Sequence, residues 1–508
     1  MAIDQSLTEW DRQWTVVNGN PDDFSAWESL IKLAESSQSV PGASGPVNSE
    51  SDSTVIASLR TVYDHFLAKF PLCFGYWKKY ADAEMRIEGF TKATEVFERG
   101  VSAIHNSIDL WNHYCQFKVD KSSDDVEGIR TVFERAAQGV GYDFLSHTFW
   151  DKYIDYEEAK QQDARVFAIL ERIIRIPLHQ YTRYFEKYSQ LSASRPVDEL
   201  LEKAELDRVT AEVKAANPGK KNDIEAELRQ SIHKIKSDIY LKTQEGVLKR
   251  WSFESEIKRP YFHVKPLDET QLATWRKYLD YEEEAVSTTE NGDVTRVYVL
   301  YERCLVACAL YEEYWLRYAR YLTVRGDFER TSNVYYRACN LYLAAGRTEL
   351  RLEYAAFEEE HNRISEAAQV YTKLMESVPG HVETLFKYAN FMRRHYGVNK
   401  GEECYTSAIE MLTDEKAKGF LIAAKAKYIY NMLESCLWTL FRYCPRADPC
   451  YFNTFCLSLL CLVPASFVCL LMEADTDVWL ILQEPSWTTC GSLGTPSRAL
   501  EHSPNMTS

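Results

Sequence analysis

The chain contains no phosphate-cradling GxxxxGK[ST], no HExxH, no GxSxG and no dinucleotide-binding GxGxxG. These absences remove the common nucleotide, zinc-protease, hydrolase and dinucleotide chemistries. An apolar leader is lacking too: the opening MAIDQSLTEWDRQW carries acidic residues, so no secretory signal is expected. Positive charge is in deficit, with 59 Lys and Arg against 75 Asp and Glu and a net charge of −16. Such a surface repels phosphate backbones as a whole and puts protein partners first.

What is present is one phrase spelled many times. WKKYADAE at Trp77 leads to VFERG at Phe97, and WNHYCQF at Trp111 leads to VFERA at Phe133. Trp77 with Tyr80, and Trp111 with Tyr114 and Phe117, recur at steps of three, which stacks aromatics on one helix face. A second helix carries Val96, Phe97 and Val101, or Val132, Phe133 and Ala137, with Gly89 or the run from Asp120 to Asp125 as the turn. Neither hairpin buries its stripe alone, so the unit must stack. Further first helices open at Trp27, Trp150 with Tyr153, Phe185, Trp275 with Tyr278, Trp315 with Tyr318, Arg351 and Leu385, which makes nine copies. The expected fold is all-α: a helical-hairpin repeat solenoid, or TPR-like superhelix, in two half-arrays.

The predicted domains are an N-terminal array (1–195), a charged helical linker and connector (196–274), a C-terminal array (275–430) and an atypical tail (431–508). The Ser-, Gly- and Pro-rich run 36–54 reads as a spacer within the first copy rather than a regulated phosphorylation loop, because nothing basic lies nearby in sequence to receive a phosphate. The linker carries narrow apolar stripes on one or two long helices broken at Asn217-Pro218-Gly219, with two readings: a helix covering the solenoid, or a docking helix for a partner. In the connector, Lys258, Arg259, His263 and Lys265 interleave with Tyr261 and Phe262 between Pro260 and Pro266. That pattern can stack on bases and neutralise phosphates, so these six are the candidate partner or RNA contact. The simpler reading is a rigid connector with buried aromatics.

After about Tyr430 the phrase does not return. No lysine follows Lys427, residues 449–472 carry no charge, and seven cysteines crowd in without CxxC spacing. The readings are a membrane anchor, a disulfide or metal module, and a tail appended where an array is cut short. Upstream, Cys73, Cys115, Cys304, Cys308, Cys339 and Cys404 lie in helical phrases and read as buried thiols in a reducing compartment.

Glu84, Glu157, Glu282 and Glu358 recur seven residues into their helices. An active site is needed once, so they are expected to pair with second-helix basics such as Arg99, Arg172 and Arg303. No catalytic residue, cofactor or metal ligand is assigned.

The W-x-x-Y helix followed by a [VL]FER[AG]-like helix resembles the half-a-TPR repeat. GYWKKYADAE, VDKSSDDVEGIRTVFERA, and above all RWSFESEIKRPYFHVKPLDETQLATW with YERCLVACALYEEYWLRYARY, resemble the pre-mRNA-processing factor 39 family over residues 10–430. The resemblance implies a nuclear, non-catalytic scaffold of pre-mRNA splicing. It would associate with proteins of the U1 small nuclear ribonucleoprotein, aid 5′ splice-site recognition and alternative splicing, reach RNA mainly indirectly, and pair through the C-terminal array as a homodimer or as a heterodimer with a sister protein. The cysteine-rich tail departs from the family pattern. The rival reading is a TPR-type adaptor tethered to a membrane by that tail.

Overall fold

In the computed structural model, residues 8–36, 46–216, 224–288 and 294–443 are described, with side chains to 429. All nine expected first helices are helices: Phe24–Glu35, Phe74–Ile87, Ile108–Lys121, His147–Ala159, Tyr181–Ser194, Glu269–Ser287, Glu312–Val324, Thr348–Glu360 and Val382–Tyr396. No strand occurs among the described residues, and the fold is a helical-hairpin repeat solenoid. None of the described helices is long and apolar enough to cross a membrane. The uncharged run 449–472 and the tail cysteines lie outside the described residues.

Local chemistry sets the helix ends. Asp23 accepts from the Ser25 and Ala26 amides, Ser107 from Leu110 and Asp125 from Gly128, so exposed first-turn donors find acceptors. Several of the turns between paired helices use one residue at positive φ. Gly89 supplies it at φ 93°, and Gln161 and Asn362 hold the same place at 57° and 61°.

Except at Trp275, each opening tryptophan is a buried wedge whose indole N–H finds a carbonyl in the loop before its helix. Trp77 donates to Pro71 O (2.8 Å), Trp111 to His105 O (2.7 Å), Trp150 to Gly141 O (3.0 Å) and Trp315 to Ala309 O (2.8 Å). Trp275 is equally buried, but its N–H has no acceptor. Trp315→Phe is therefore expected to cost about 1 kcal/mol more than Trp275→Phe, because only the first strands a carbonyl. Urea unfolding of the two variants measures the difference, and equal losses would show that the indole bond contributes nothing.

Two compact units divide between Ala344 and Ala345. In the first, Met1–Ala344, the aromatic of each second helix stacks on the tyrosine of the next first helix. Ring centroids are 5.2 Å apart for Phe97 and Tyr114, 4.6 Å for Phe133 and Tyr153, and 4.5 Å for Tyr301 and Tyr318. The predicted linker becomes helices Lys203–Ala216 and Ile224–Glu256, the latter 33 residues long. This long helix buries Leu228, Ile232, Val247 and, unusually, Lys236 and Arg250. Lys236 reaches Glu171 on the helix Asp163–Ile173, and Thr243 donates to Ile174 O (2.8 Å).

The second unit, Ala345–Ser508, holds the hairpins Thr348–Glu360 with Ile364–Ser377 and Val382–Tyr396 with Val398–Met411, followed by Glu415–Tyr443. Its core includes Leu352, Tyr371, Leu374 and Phe391, then Ala389, Tyr405, Leu412 and Leu421. Here too a second-helix aromatic meets the next tyrosine, Tyr371 against Tyr388, but tilted by 51°.

Candidate functional site

The repeat residues Trp77, Tyr80, Trp111, Tyr114, Trp150, Tyr153, Trp275, Tyr278, Trp315 and Tyr318 are all buried. They build the scaffold and offer no surface. The charged residues around them form a ladder that differs from the expected one. Glu84 pairs with Arg60 (2.7 Å), Glu157 with Arg130 (2.8 Å) and Glu282 with Arg250. In each case the arginine comes from the helix preceding the carboxylate's own, whereas Arg99, Arg172 and Arg303 had been the expected partners. Glu358 lies 3.4 Å from Arg363.

The second-helix arginines do something else. Their guanidinium carbons sit 5.5 Å from the Trp77 ring for Arg99, 5.6 Å from Trp111 for Arg135, 5.3 Å from Trp150 for Arg172, 5.8 Å from Trp275 for Arg303 and 5.4 Å from Trp315 for Arg337. Each also bonds an acid of the preceding second helix: Asp64, Glu98, Glu134, Glu254 and Glu302 in that order. The planar fork covers an indole face while holding a carboxylate, which a lysine could not do in the same geometry. Glu98, Glu134 and Glu254 also accept from Tyr114, Tyr153 and Tyr278. Arg135 holds the Glu98 carboxyl below the usual range, while burial and that same carboxylate push the Tyr114 hydroxyl well above its own.

Glu254 belongs to the long helix, whose repeat character the sequence spacing alone does not announce. Phe253 stacks on Tyr278 at 4.9 Å, and Glu254 receives Arg303 through both terminal nitrogens at 2.6 and 2.7 Å. The end of the long helix is thus a second helix of the repeat. The signal was Phe253-Glu254, which matches Phe97-Glu98 and Phe133-Glu134, but Ser255 stands where those phrases have arginine. Arg303 also lies 3.6 Å from Asp143, a buried acid in the loop before Trp150. Burial pushes Asp143 up, opposed by Arg303. Next to Arg303, Glu302 faces His105 at 3.7 Å from the loop before Trp111. One helix turn of Val294–Ala307 therefore engages two successive loops of the N-terminal repeats.

The connector residues separate into two sets. Phe262 lies 6.3 Å from Phe70 and His263 6.3 Å from Phe24, so both dock on the first hairpin. The Arg259 guanidinium bonds Lys265 O (2.9 Å) and Pro266 O (3.4 Å) and closes the loop on itself. Lys258 is anchored by its amide to Gln271, and Leu267 N donates to the Tyr311 hydroxyl (2.7 Å). Of the six candidate contact residues, only Lys258, Tyr261 and Lys265 are exposed. No group of three or more His, Cys, Asp or Glu able to hold a metal occurs among the described residues. Cys115, Cys304 and Cys308 are buried and Cys73, Cys339 and Cys404 half-buried; burial pushes the Cys73 thiol up to about 12.

Family comparison matches residues 11–190 to the PRP39 N-terminal HAT repeat and 248–394 to the PRP39 C-terminal HAT repeat. The second match opens at residue 248, ahead of Arg250, Phe253 and Glu254, in keeping with their place in the ladder. Pre-mRNA-processing factor 39 of Schizosaccharomyces pombe is 44% identical over 74% of this chain and 62% of its own length. The human protein of that name is 34% identical over 73% and 56%. The U1 small nuclear ribonucleoprotein component PRP42 of Saccharomyces cerevisiae is 25% identical over 60% and 55%. The chain thus spans roughly six tenths of the length of these relatives.

Proposed function

Because the chain belongs to the PRP39 HAT-repeat family, we propose that it is a non-catalytic, nuclear scaffold of pre-mRNA splicing that associates with proteins of the U1 small nuclear ribonucleoprotein. In this role it aids 5′ splice-site recognition and alternative splicing, and it pairs with a second copy through the C-terminal array. The observation that carries the reading is the match of both repeat blocks, supported by relatives named for pre-mRNA processing and for the U1 particle.

Contact with RNA is mainly indirect. The second-helix arginines are held by carboxylates and indole faces rather than free for phosphates, and the net charge of −16 opposes a phosphate backbone. Lys258 and Lys265, beside exposed Tyr261, form the one place assigned to direct contact. Arg259 is structural and is left untouched in the test.

Lys258→Ser with Lys265→Ser is expected to leave co-purification of the U1 particle within about twofold of the wild type. Affinity capture from nuclear extract, with identification of proteins and RNA, provides the readout. Tight, steeply salt-dependent RNA binding by the purified chain, abolished by the two changes, would overturn the indirect reading. Recovery of the chain in membranes without the particle would overturn the scaffold itself in favour of a tethered adaptor.

A further inference from the structure

The long helix carries a second apolar stripe that its own core does not use. Leu241 is 56% exposed, Leu248 68% and Trp251 50%, at steps of seven and three along one side. They span about 15 Å of helix. Leu145, 37% exposed and next to Phe144, extends the patch, since Phe144 lies 6.3 Å from Trp251. Scattered surface leucines are ordinary, but Leu241 and Leu248 recur at helical spacing, and among the described residues both stay more than half exposed.

The charge here also runs against the rest of the molecule. Between Leu228 and Ser252 there are six basic residues against two acidic ones, in a chain of net charge −16. Lys236 and Arg250 are buried against Glu171 and Glu282, whereas Lys234, Lys242 and Lys249 reach the surface, the last two directly beside the exposed leucines and Lys249 also paired with Glu245 at 2.7 Å.

We propose that this ridge docks an amphipathic helix of another protein whose apolar stripe is flanked by Asp or Glu. Two other occupants fit the chemistry less well. An RNA strand gains little from the leucines, and one face of Trp251 is already covered by His179, stacked at 5.5 Å and 17°. A second copy would bring the same lysines against themselves, because a two-fold interface presents one patch to itself.

The test uses the full chain and a fluorescein-labelled 15-residue peptide with leucines at heptad positions and glutamates between them, followed by anisotropy. Binding is expected, with Leu241→Glu plus Leu248→Glu weakening it at least about tenfold at an unchanged melting temperature. Lys242→Glu plus Lys249→Glu should weaken it as well. The proposal falls if the peptide fails to bind, if the double leucine variant binds it equally, or if a lysine-bearing version binds as tightly. It also falls if single-stranded RNA displaces the peptide. Sedimentation that shows wild-type dimers and a monomeric leucine variant would assign the ridge to a second copy instead.

Discussion

Arg303→Ala is expected to destabilise the first unit by about 3–5 kcal/mol near neutral pH, and by less as the solution is acidified. The guanidinium stands between two buried acids, bidentate to Glu254 and 3.6 Å from Asp143, and it covers the Trp275 ring. Removing it leaves two carboxylates without their cation in a dry site. Asp143 sets the pH dependence. Its folded pKa already lies above the usual value because burial outweighs Arg303, and without the arginine it rises further. A carboxyl whose pKa is raised on folding favours the folded state below its unfolded pKa. That contribution is lost as pH climbs toward the folded value. The gap between variant and wild type should therefore widen from acid to neutral pH, and Asp143→Asn in the Arg303→Ala background should flatten it. Denaturant unfolding at a series of pH values gives the difference directly. A gap that is constant with pH would remove Asp143 from the account.

Much of the fold was legible because the repeat writes its helix periodicity in large aromatics. Trp77 and Trp111 announced hairpins whose second helices followed at fixed distance, and no tertiary information was needed to place them. The ion pairs were less legible. Sequence spacing says that Glu157 shares a helix face with Tyr153, but not whether the partner arginine comes from the helix before or the helix after. Stacking decides that, and it chooses Arg130 over Arg172. The long helix hid its repeat character for a related reason. Phe253 and Glu254 keep the two residues that touch the next hairpin, while position 255 has no tryptophan of its own hairpin to cover and carries serine. At the connector, the alternation of basic and aromatic residues does not distinguish Arg259, spent on two carbonyls, from Lys258 and Lys265, which reach solvent. Three-dimensional closure of the loop separates them.

Trp315→Ala should be among the most damaging single changes, at about 3–5 kcal/mol, whereas Trp251→Ala should cost less than about 1 kcal/mol. Trp315 is 1% exposed, donates to Ala309 O at 2.8 Å and stacks on Tyr342 at 5.2 Å and 19°. Its other neighbour is Arg337, 5.4 Å from the ring and bidentate to Glu302 at 2.8 and 2.9 Å. Truncation leaves a void in the hairpin and strips the face on which that arginine rests, so the Glu302 link loosens as well. Since each repeat of a solenoid is held by its neighbours, the damage should spread locally before it becomes global. Hydrogen exchange should accelerate first in Glu312–Val324 and Phe328–Arg337, ahead of Phe74–Ile87. Trp251 is a fair control, with half its surface in solvent and a stack on His179 as its principal contact. Melting temperatures that fell equally for the two variants would mean that the indole wedge is not what holds a repeat together, and that the arginine–carboxylate ladder carries the array without it.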